Sequence, residues 1–221
     1  MIGINGLTAN NSISTLQTLS REGLIDTYEC NRRMYLNNKN VLRNLNIRCD
    51  TFSSLVTGDY NLDTVEGRIG FFNEFLETIS FADDIGAYKL MFGLARYRQE
   101  MNSDKLKFFK ELREVAKDRD KILLFEAISS YGNKFLTNHK ELIEFSKEIN
   151  LSGIHVDFGT LRDCHESFTE ISKQINVINI HFPYGEYNTT EVENFDISIE
   201  NYTNKKLSVN DLVDYFSKIK K

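Results

Sequence analysis

KILLFEAISSYGNKF, residues 121–135, is the stretch of sequence that decides the fold prediction. Four apolar residues, Ile122–Phe125, lead directly into the carboxylate of Glu126, and a polar turn containing a glycine follows. A run that is apolar on both faces is typical of a strand buried on both sides, as in a parallel sheet. Acidic side chains at the carboxyl end of such a strand stand where α/β folds place their functional groups. The stretch therefore predicts a buried strand that presents Glu126 at a functional edge.

The same pattern, an apolar run followed by a polar ligand-type side chain, recurs three times downstream. These three runs are followed by Asp157, His181 and Glu200. Four more strands are predicted upstream of Glu126. In order, the predicted strands lie at residues 1–8, 24–30, 47–56, 87–92, 122–125, 153–156, 177–180 and 195–199.

Eight strands that alternate with helical segments predict an α/β fold, a compact (β/α)8 TIM barrel formed as one domain by residues 1–221. No helical stripe lies between residues 182 and 194, so the seventh helix is expected to be reduced or absent. An open doubly wound sheet is the alternative. It is disfavoured because no glycine-rich turn follows the first strand, where a nucleotide-binding version would need one.

Helix positions follow from apolar spacing and from capping residues. Ser103 and Ser208 are predicted N-caps, and residues 165–175 are predicted to form a short helix. His139 and His165 fall at predicted helix starts and are expected to be exposed. One long helix is expected to bury an apolar stripe formed by Val65, Ile69, Phe72, Leu76 and Ile79.

Composition excludes several classes of protein. The net charge is −5 and lysines and arginines are not clustered, which argues against a nucleic-acid partner because phosphate affinity needs clustered cations. The three cysteines, Cys30, Cys49 and Cys164, are widely spaced and match neither a disulfide framework nor a metal knuckle. Neither a signal-peptide core nor an 18-residue apolar run is present. We therefore expect a cytoplasmic protein without a membrane partner.

Four side chains at predicted strand ends could meet at one rim of the barrel. Glu126, Asp157, His181 and Glu200 come from four consecutive strands, and neighbouring strand ends converge. Three carboxylates and one imidazole are a hard donor set that suits Mn²⁺, Mg²⁺ or Co²⁺, with Zn²⁺ also compatible. Without a cation the carboxylates would repel one another. The alternative for each residue is structural: Glu200 could pair with Lys205, and His181 could bind a backbone group.

These residues stand in the motifs LLFEAI, IHVDFGT, INIHF and ISIEN. With them, nearly the whole chain resembles the sugar isomerase/epimerase superfamily of xylose-isomerase-like TIM barrels, which includes ketose 3-epimerases. The resemblance implies that Glu126, Asp157, His181 and Glu200 hold a divalent metal ion. It also implies an epimerase or isomerase that acts on a small sugar or sugar-like ketose through an enediolate intermediate. Glu126 and Glu200 would then be the catalytic base and acid.

The resemblance extends to candidate substrate-binding residues. Glu29 matches an acid after the second strand, Arg98 fits a turn after the fourth, and Tyr131 fits a turn after the fifth. His155, two residues before Asp157, shares its face and is assigned to the same pocket, with a core position as the alternative. The chain also departs from the family, because Thr160 stands where many epimerases have a substrate-binding histidine.

Several alternatives remain open from the sequence. A metal-dependent lyase or dehydratase could act on a keto-polyol through the same enediolate, and a catalytically lapsed barrel could act as a binding protein. A phosphodiesterase acting on nucleic acid would need further His and Asp ligands and a basic surface, both of which the sequence lacks. Lys89 could be a Schiff-base lysine or could point outward beneath a helix. The expected partner is a small-molecule sugar or sugar phosphate, and family members commonly form homodimers.

Overall fold

Eight parallel strands form a nearly closed barrel. The computed structural model describes residues 1–93, 100–129, 135–203 and 205–220. The strands are β1 (Ile2–Ile4), β2 (Thr27–Asn31), β3 (Arg48–Ser53), β4 (Lys89–Phe92), β5 (Ile122–Phe125), β6 (Ile154–Asp157), β7 (Val177–Pro183) and β8 (Ile197–Glu200). Their order in the sheet is β5-β4-β3-β2-β1-β8-β7-β6. Because every neighbouring pair is parallel, the predicted TIM-barrel fold is confirmed.

The helices surround the barrel. They are α1 (Ile13–Arg21), α2 (Arg32–Leu42), α3 (Val65–Ile85), α4 (Ser103–Lys117), α5 (His139–Ile149), α6 (Phe158–Asp163), α7 (Phe168–Ser172) and α8 (Val209–Ile219). The connection between β7 and β8 holds only a 3-10 turn at Thr190–Val192, as predicted for the reduced seventh helix. None of the described helices combines the length and the apolar character needed to cross a bilayer.

The strands alternate between an apolar outer face and a largely polar inner face. In β2, Tyr28 and Cys30 are buried beneath the helices, whereas Glu29 points into the barrel, where it contacts residues of β7. Successive side chains of a strand point to opposite faces, so this alternation places the hydrophobic core between strands and helices. The barrel interior is left for polar groups.

A ladder of aromatic rings fills part of this core. Phe92 of β4 stacks on Phe125 of β5 with ring centroids 5.3 Å apart. Phe75 of α3 also stacks on Phe92, with centroids 5.6 Å apart, and Phe145 of α5 contacts Phe125 edge-on at 5.1 Å. Rings from two helices therefore pack on the outward-facing side chains of β4 and β5. This packing holds the carboxyl end of β5, which Glu126 follows.

Lys89 lies inside the barrel at the end opposite to Glu126. Its side chain is 1% exposed, and its Nζ lies 3.3 Å from Asp50 and 3.0 Å from Asp196. Lys89 is the first residue of β4, so these ion pairs close the amino-terminal end of the barrel. A Schiff-base role at the site is therefore wrong, and so is the outward position that was its alternative.

Other local predictions need correction. The N-cap of α4 is Asn102, one residue before the predicted Ser103, whereas Ser208 caps α8 as expected. The predicted helix at residues 165–175 is shorter in the structure, where α7 covers only Phe168–Ser172. His139 is fully buried, so its predicted exposure is wrong.

The buried face of α3 also differs from the predicted stripe. Val65 and Ile69 are more than half exposed. The buried side chains of this helix are Phe71, Phe75, Thr78, Ile79 and Ala82. Two sets of residues share the helical spacing, and the set with two phenylalanines, Phe71 and Phe75, faces the strands.

Candidate metal centre

The carboxyl ends of β5 to β8 bring together two groups of potential ligands. Ligand atoms of Asp157, His181 and Glu200 all lie within 4.8 Å of one another. Glu126, His155 and His181 form a second group at the same spacing. Within the described part of the chain, the four predicted metal ligands thus fall into two groups that share His181.

Asp157 is held by the helix that begins directly after it. As the N-cap of α6, it accepts a hydrogen bond from the backbone N–H of Thr160 at 2.6 Å. The hydroxyl of Thr160 donates to the carbonyl of Ala127, which follows β5. Thr160 therefore has a structural role at the position where many epimerases have histidine.

Tyr202 covers Asp157 from the loop after β8, and sequence reasoning missed it. Its hydroxyl donates to Oδ2 of Asp157. Burial raises the pKa of Asp157 and so does the nearby Glu200, while His181 partly offsets the effect. Burial and the two carboxylates also raise the pKa of Tyr202, so its hydroxyl remains a donor. The only feature of the sequence that could have pointed to Tyr202 is its position two residues after Glu200.

His181 lies between two carboxylates. Its Nε2 is 2.9 Å from Oε2 of Glu29, and its Nδ1 is 2.8 Å from Oε2 of Glu200. Burial opposes protonation of this ring, but the two carboxylates raise its pKa well above the ordinary value. Nδ1 of His181 is thus buried against the Glu200 carboxylate, which is its ion-pair partner when the ring is protonated.

Glu29 is the centre of a buried hydrogen-bond network. Its side chain is 1% exposed, and its carboxylate accepts hydrogen bonds from the amides of Asn5 and Asn179, each at 3.0 Å. Burial opposes ionisation, yet His181 and the hydrogen bonds from His181 and Asn179 lower its pKa. Sequence reasoning expected Glu29 to contact substrate, but its oxygens are occupied by protein donors.

His155 lies one layer below Asp157 and is fully buried. Its Nδ1 is 3.2 Å from the amide nitrogen of Asn179, and its ring centroid is 4.2 Å from that of His181. Burial, reinforced by the neighbouring His181, lowers the pKa of His155 well below the ordinary value. Its Nε2 is buried without a hydrogen-bond partner in the described residues. This orphaned atom is unusual because buried polar groups are generally paired.

Glu126 follows β5 and is half-buried at the rim. Its backbone N–H donates to the carbonyl of Phe92 at 3.2 Å. The adjacent Gly93 lets its carboxylate come close, because a Cβ there would lie 3.0 Å from Oε2 of Glu126. The other predicted substrate residues, Arg98 and Tyr131, lie outside the described residues.

The donor set fits a divalent cation. Asp157, His181 and Glu200 offer two carboxylates and one imidazole from adjacent strand ends, and their ligand atoms all lie within 4.8 Å of one another. Donor atoms this close together can converge on a single ion. This is the arrangement expected of ligands to one ion.

No family model matches the chain, and no curated protein matches it in sequence. Solved structures do match. A xylose isomerase domain containing protein from Salmonella typhimurium LT2 has a TM-score of 0.76 at 13% identity, with 100% of this chain and 97% of that chain covered. The fold is that of the xylose isomerase-like barrels.

Two further solved structures also match over nearly the whole chain. D-psicose 3-epimerase from Clostridium cellulolyticum H10 has a TM-score of 0.73 at 12% identity over 99% of this chain and 91% of that chain. The probable 3-DHS dehydratase involved in petrobactin synthesis from Bacillus anthracis has a TM-score of 0.73 at 11% identity over 100% and 98%. The expected likeness to this superfamily is therefore confirmed at the level of the fold.

Proposed function

We propose that this chain is a divalent-metal-dependent epimerase or isomerase that acts on a small sugar or sugar-like ketose. The observation that carries the proposal is the cluster of Asp157, His181 and Glu200, whose ligand atoms all lie within 4.8 Å of one another, with Nδ1 of His181 2.8 Å from Oε2 of Glu200. The fold supports the proposal because it is shared with ketose 3-epimerases. The ligands proposed to hold the ion are Glu126, Asp157, His181 and Glu200.

A divalent cation would supply Lewis-acid stabilisation of the negative charge that develops on sugar oxygens during proton transfer. Mn²⁺, Mg²⁺ and Co²⁺ match the donor set best, and Zn²⁺ is also compatible. Asp157 is oriented for this role by Thr160 and Tyr202, and His181 by Glu29. Such hydrogen bonds to the ligands fix their geometry.

The chemistry then depends on two carboxylates at the rim. Glu126 follows β5 and Glu200 ends β8, so they approach a bound sugar from different strands. In our proposal Glu126 removes a proton from the carbon next to the carbonyl, which leaves an enediolate. Glu200 returns a proton to the opposite face of that carbon, which inverts the centre, or to the adjacent carbon, which isomerises the sugar.

The first test is Glu126→Gln. We expect turnover to fall by about a hundredfold or more, because the amide cannot accept the proton. Circular dichroism and thermal unfolding should be unchanged, because Glu126 is at the rim. Glu148→Gln, the same change on the exposed face of α5, is the matched control. Activity near that of the wild type in Glu126→Gln would contradict the assignment.

Metal analysis and isotope exchange separate this function from its alternatives. One stoichiometric divalent ion is expected, whereas several zinc ions would indicate a phosphodiesterase and none would indicate a lapsed barrel. A screen of ketoses in deuterated water should show deuterium at the carbon that exchanges. A dehydratase, the reaction named for one of the matching structures, would instead lose water from the same intermediate.

A further inference from the structure

A hydrogen-bonded chain inside the barrel connects both buried histidines to one carboxylate. Oε2 of Glu29 is the partner of Nε2 of His181. The amide nitrogen of Asn179 is 3.0 Å from Oε1 of Glu29 and 3.2 Å from Nδ1 of His155. His181 therefore contacts this network through Nε2, and His155 contacts it through Nδ1.

This network fixes where the proton of each ring lies. An ionised carboxylate only accepts, so the atom of Asn179 that faces Glu29 is its amide nitrogen. That nitrogen has two protons, and the second is directed to Nδ1 of His155, which must then accept. A neutral imidazole that accepts at one nitrogen carries its proton on the other. His155 is therefore a neutral ring with its proton on Nε2.

His181 also carries a proton on Nε2, although in this ring Nε2, and not Nδ1, contacts the network. Its Nε2 faces the carboxylate of Glu29, so Nε2 carries the proton. A cation that binds at Nδ1, which lies 2.8 Å from Oε2 of Glu200, would displace the second proton of the ring to solvent and take up the lone pair of that nitrogen. A cation can bind this lone pair, whereas the Nε2–H of His155 cannot serve as a ligand.

We propose that Glu29 is a positioning residue that keeps a proton on Nε2 of both histidines. His181 then offers a lone pair to the cation, and His155 donates its Nε2–H to an oxygen of the bound sugar. The second half of this inference rests on the proposed function, because it needs an oxygen ligand at the rim.

The location of Nε2 supports a donor role. His155 belongs to the group of ligand-type residues that includes Glu126, the proposed base, and Nε2 is its ring nitrogen without a hydrogen-bond partner among the described residues. A buried donor without an acceptor is unfavourable, so an oxygen of the ligand that accepts from it would be bound more tightly. A fixed N–H near the carbon that loses a proton would stabilise the developing oxyanion.

The tautomers can be read directly by ¹⁵N NMR of the imidazole rings. The chain has four histidines, so His155→Gln identifies the signals of His155. In metal-free protein we expect His155 to show a protonated Nε2 and an unprotonated Nδ1. When zinc is added, Nδ1 of His181 should shift, and His155 should keep its Nε2 proton. A proton on Nδ1 of His155, or loss of its Nε2 proton when zinc is added, would overturn the inference.

Asn179→Leu tests the connection through the network. The leucine is of similar size but cannot donate to His155, so we expect signals from both tautomers of that ring. Zinc affinity should change little, because His181 still contacts Glu29. If His155 keeps a single Nε2–H tautomer in this variant, Asn179 does not set it. Thermal unfolding checks that the variant is folded.

The donor role is tested with acetohydroxamate, a planar mimic of an enediolate, titrated into zinc-loaded protein. We expect His155→Phe to weaken binding about tenfold or more, because a hydrogen bond to a charged oxygen is lost. His155→Gln keeps an N–H donor and should recover part of this loss. Equal affinity in wild type and His155→Phe would overturn the donor role. Failure to bind zinc would instead contradict the proposed function, while the metal-free spectrum still decides the tautomers.

Discussion

At the scale of single residues, Lys89 makes the clearest energetic prediction. It is buried at the amino-terminal end of the barrel between Asp50, which is also buried, and the partly exposed Asp196. Removing one partner of a buried ion pair leaves an uncompensated charge and typically costs about 3–5 kcal/mol. We therefore expect Lys89→Met to lower the free energy of unfolding by about that amount, measured by urea denaturation.

The double variant Lys89→Met with Asp50→Asn is the control. It removes the stranded charge, so it should be more stable than Lys89→Met alone. Metal binding should persist in the double variant, because these residues lie at the other end of the barrel. A Lys89→Met protein as stable as the wild type would show that the ion pairs contribute nothing.

Single residues also mark the limit of what the sequence could predict about the site. Glu126, Asp157, His181 and Glu200 were found because each follows an apolar run, and a strand end is a local property. The contacts of Glu29 could not be found this way, because its partners are 24 residues away at Asn5 and about 150 away in β7. Only the closed barrel brings those residues together.

At the scale of secondary-structure elements, α5 depends on a carboxylate from outside the helix. Glu166 accepts hydrogen bonds from the backbone N–H of His139 at 3.1 Å and of Lys140 at 3.3 Å, and it contacts Nδ1 of His139 at 2.7 Å. Partial burial alone would raise the pKa of Glu166. The hydrogen bonds from His139 and Lys140 lower the pKa by more than burial raises it, so it lies below the ordinary 4.5. Glu166 thus acts as a cap that joins α5 to the turn after α6.

This arrangement predicts a pH-dependent contribution to stability. Since the folded pKa of Glu166 lies below the unfolded pKa, its contribution is fully present above pH 4.5 and is lost as the pH falls through the folded value. Glu166→Gln should lower the free energy of unfolding at pH 7 by about 1 kcal/mol, as for the loss of a helix cap.

The measurement is urea denaturation of wild type and Glu166→Gln at pH 7 and across pH 5 to 3. The difference between the two proteins should shrink toward the acidic end, because the wild-type carboxylate becomes neutral there. Glu170→Gln, on the exposed side of α7, is the matched control. A difference that is constant across this range would exclude the ionised carboxylate as the cause.

Helix α3 shows why the existence of an element is easier to predict than its orientation. Its start near Val65 and its end at Gly86 follow from local signals, and both agree with the structure. Its buried face does not follow from local signals, because Ile69 and Phe75 belong to two different apolar sets that both have helical spacing. The choice between the two sets depends on the surface against which the helix packs, and that surface is built from strands distant in sequence.

At the scale of the whole molecule, the barrel has a seam between β5 and β6. Backbone pairing in the described residues runs from β5 through β4, β3, β2, β1, β8 and β7 to β6 without joining the two ends. The sequence predicted eight strands and their order but not this seam, because the register between strands is not a local property. Glu126 stands on one side of the seam, and Asp157, His181 and Glu200 stand on the other.

A cation held by all four ligands would therefore connect β5 to the β6–β8 side. Ligand binding stabilises the folded state by about 2.7 kcal/mol at a concentration 100-fold above Kd, and local opening at the seam should be suppressed most. We expect Mn²⁺ to slow amide hydrogen exchange strongly in β5 and β6 and much less in β2 and β3. Hydrogen exchange with mass spectrometry, with and without Mn²⁺, measures this difference.

Glu126→Gln makes the test specific to the seam. The variant lacks the ligand proposed from β5 but keeps Asp157, His181 and Glu200, whose ligand atoms already lie within 4.8 Å of one another. Mn²⁺ should then still protect β6, β7 and β8, while the added protection of β5 should disappear. Equal protection of β5 in wild type and variant would mean that Glu126 does not bind the ion. Glu126 would then remain outside the group formed by Asp157, His181 and Glu200 in the metal-bound protein as well.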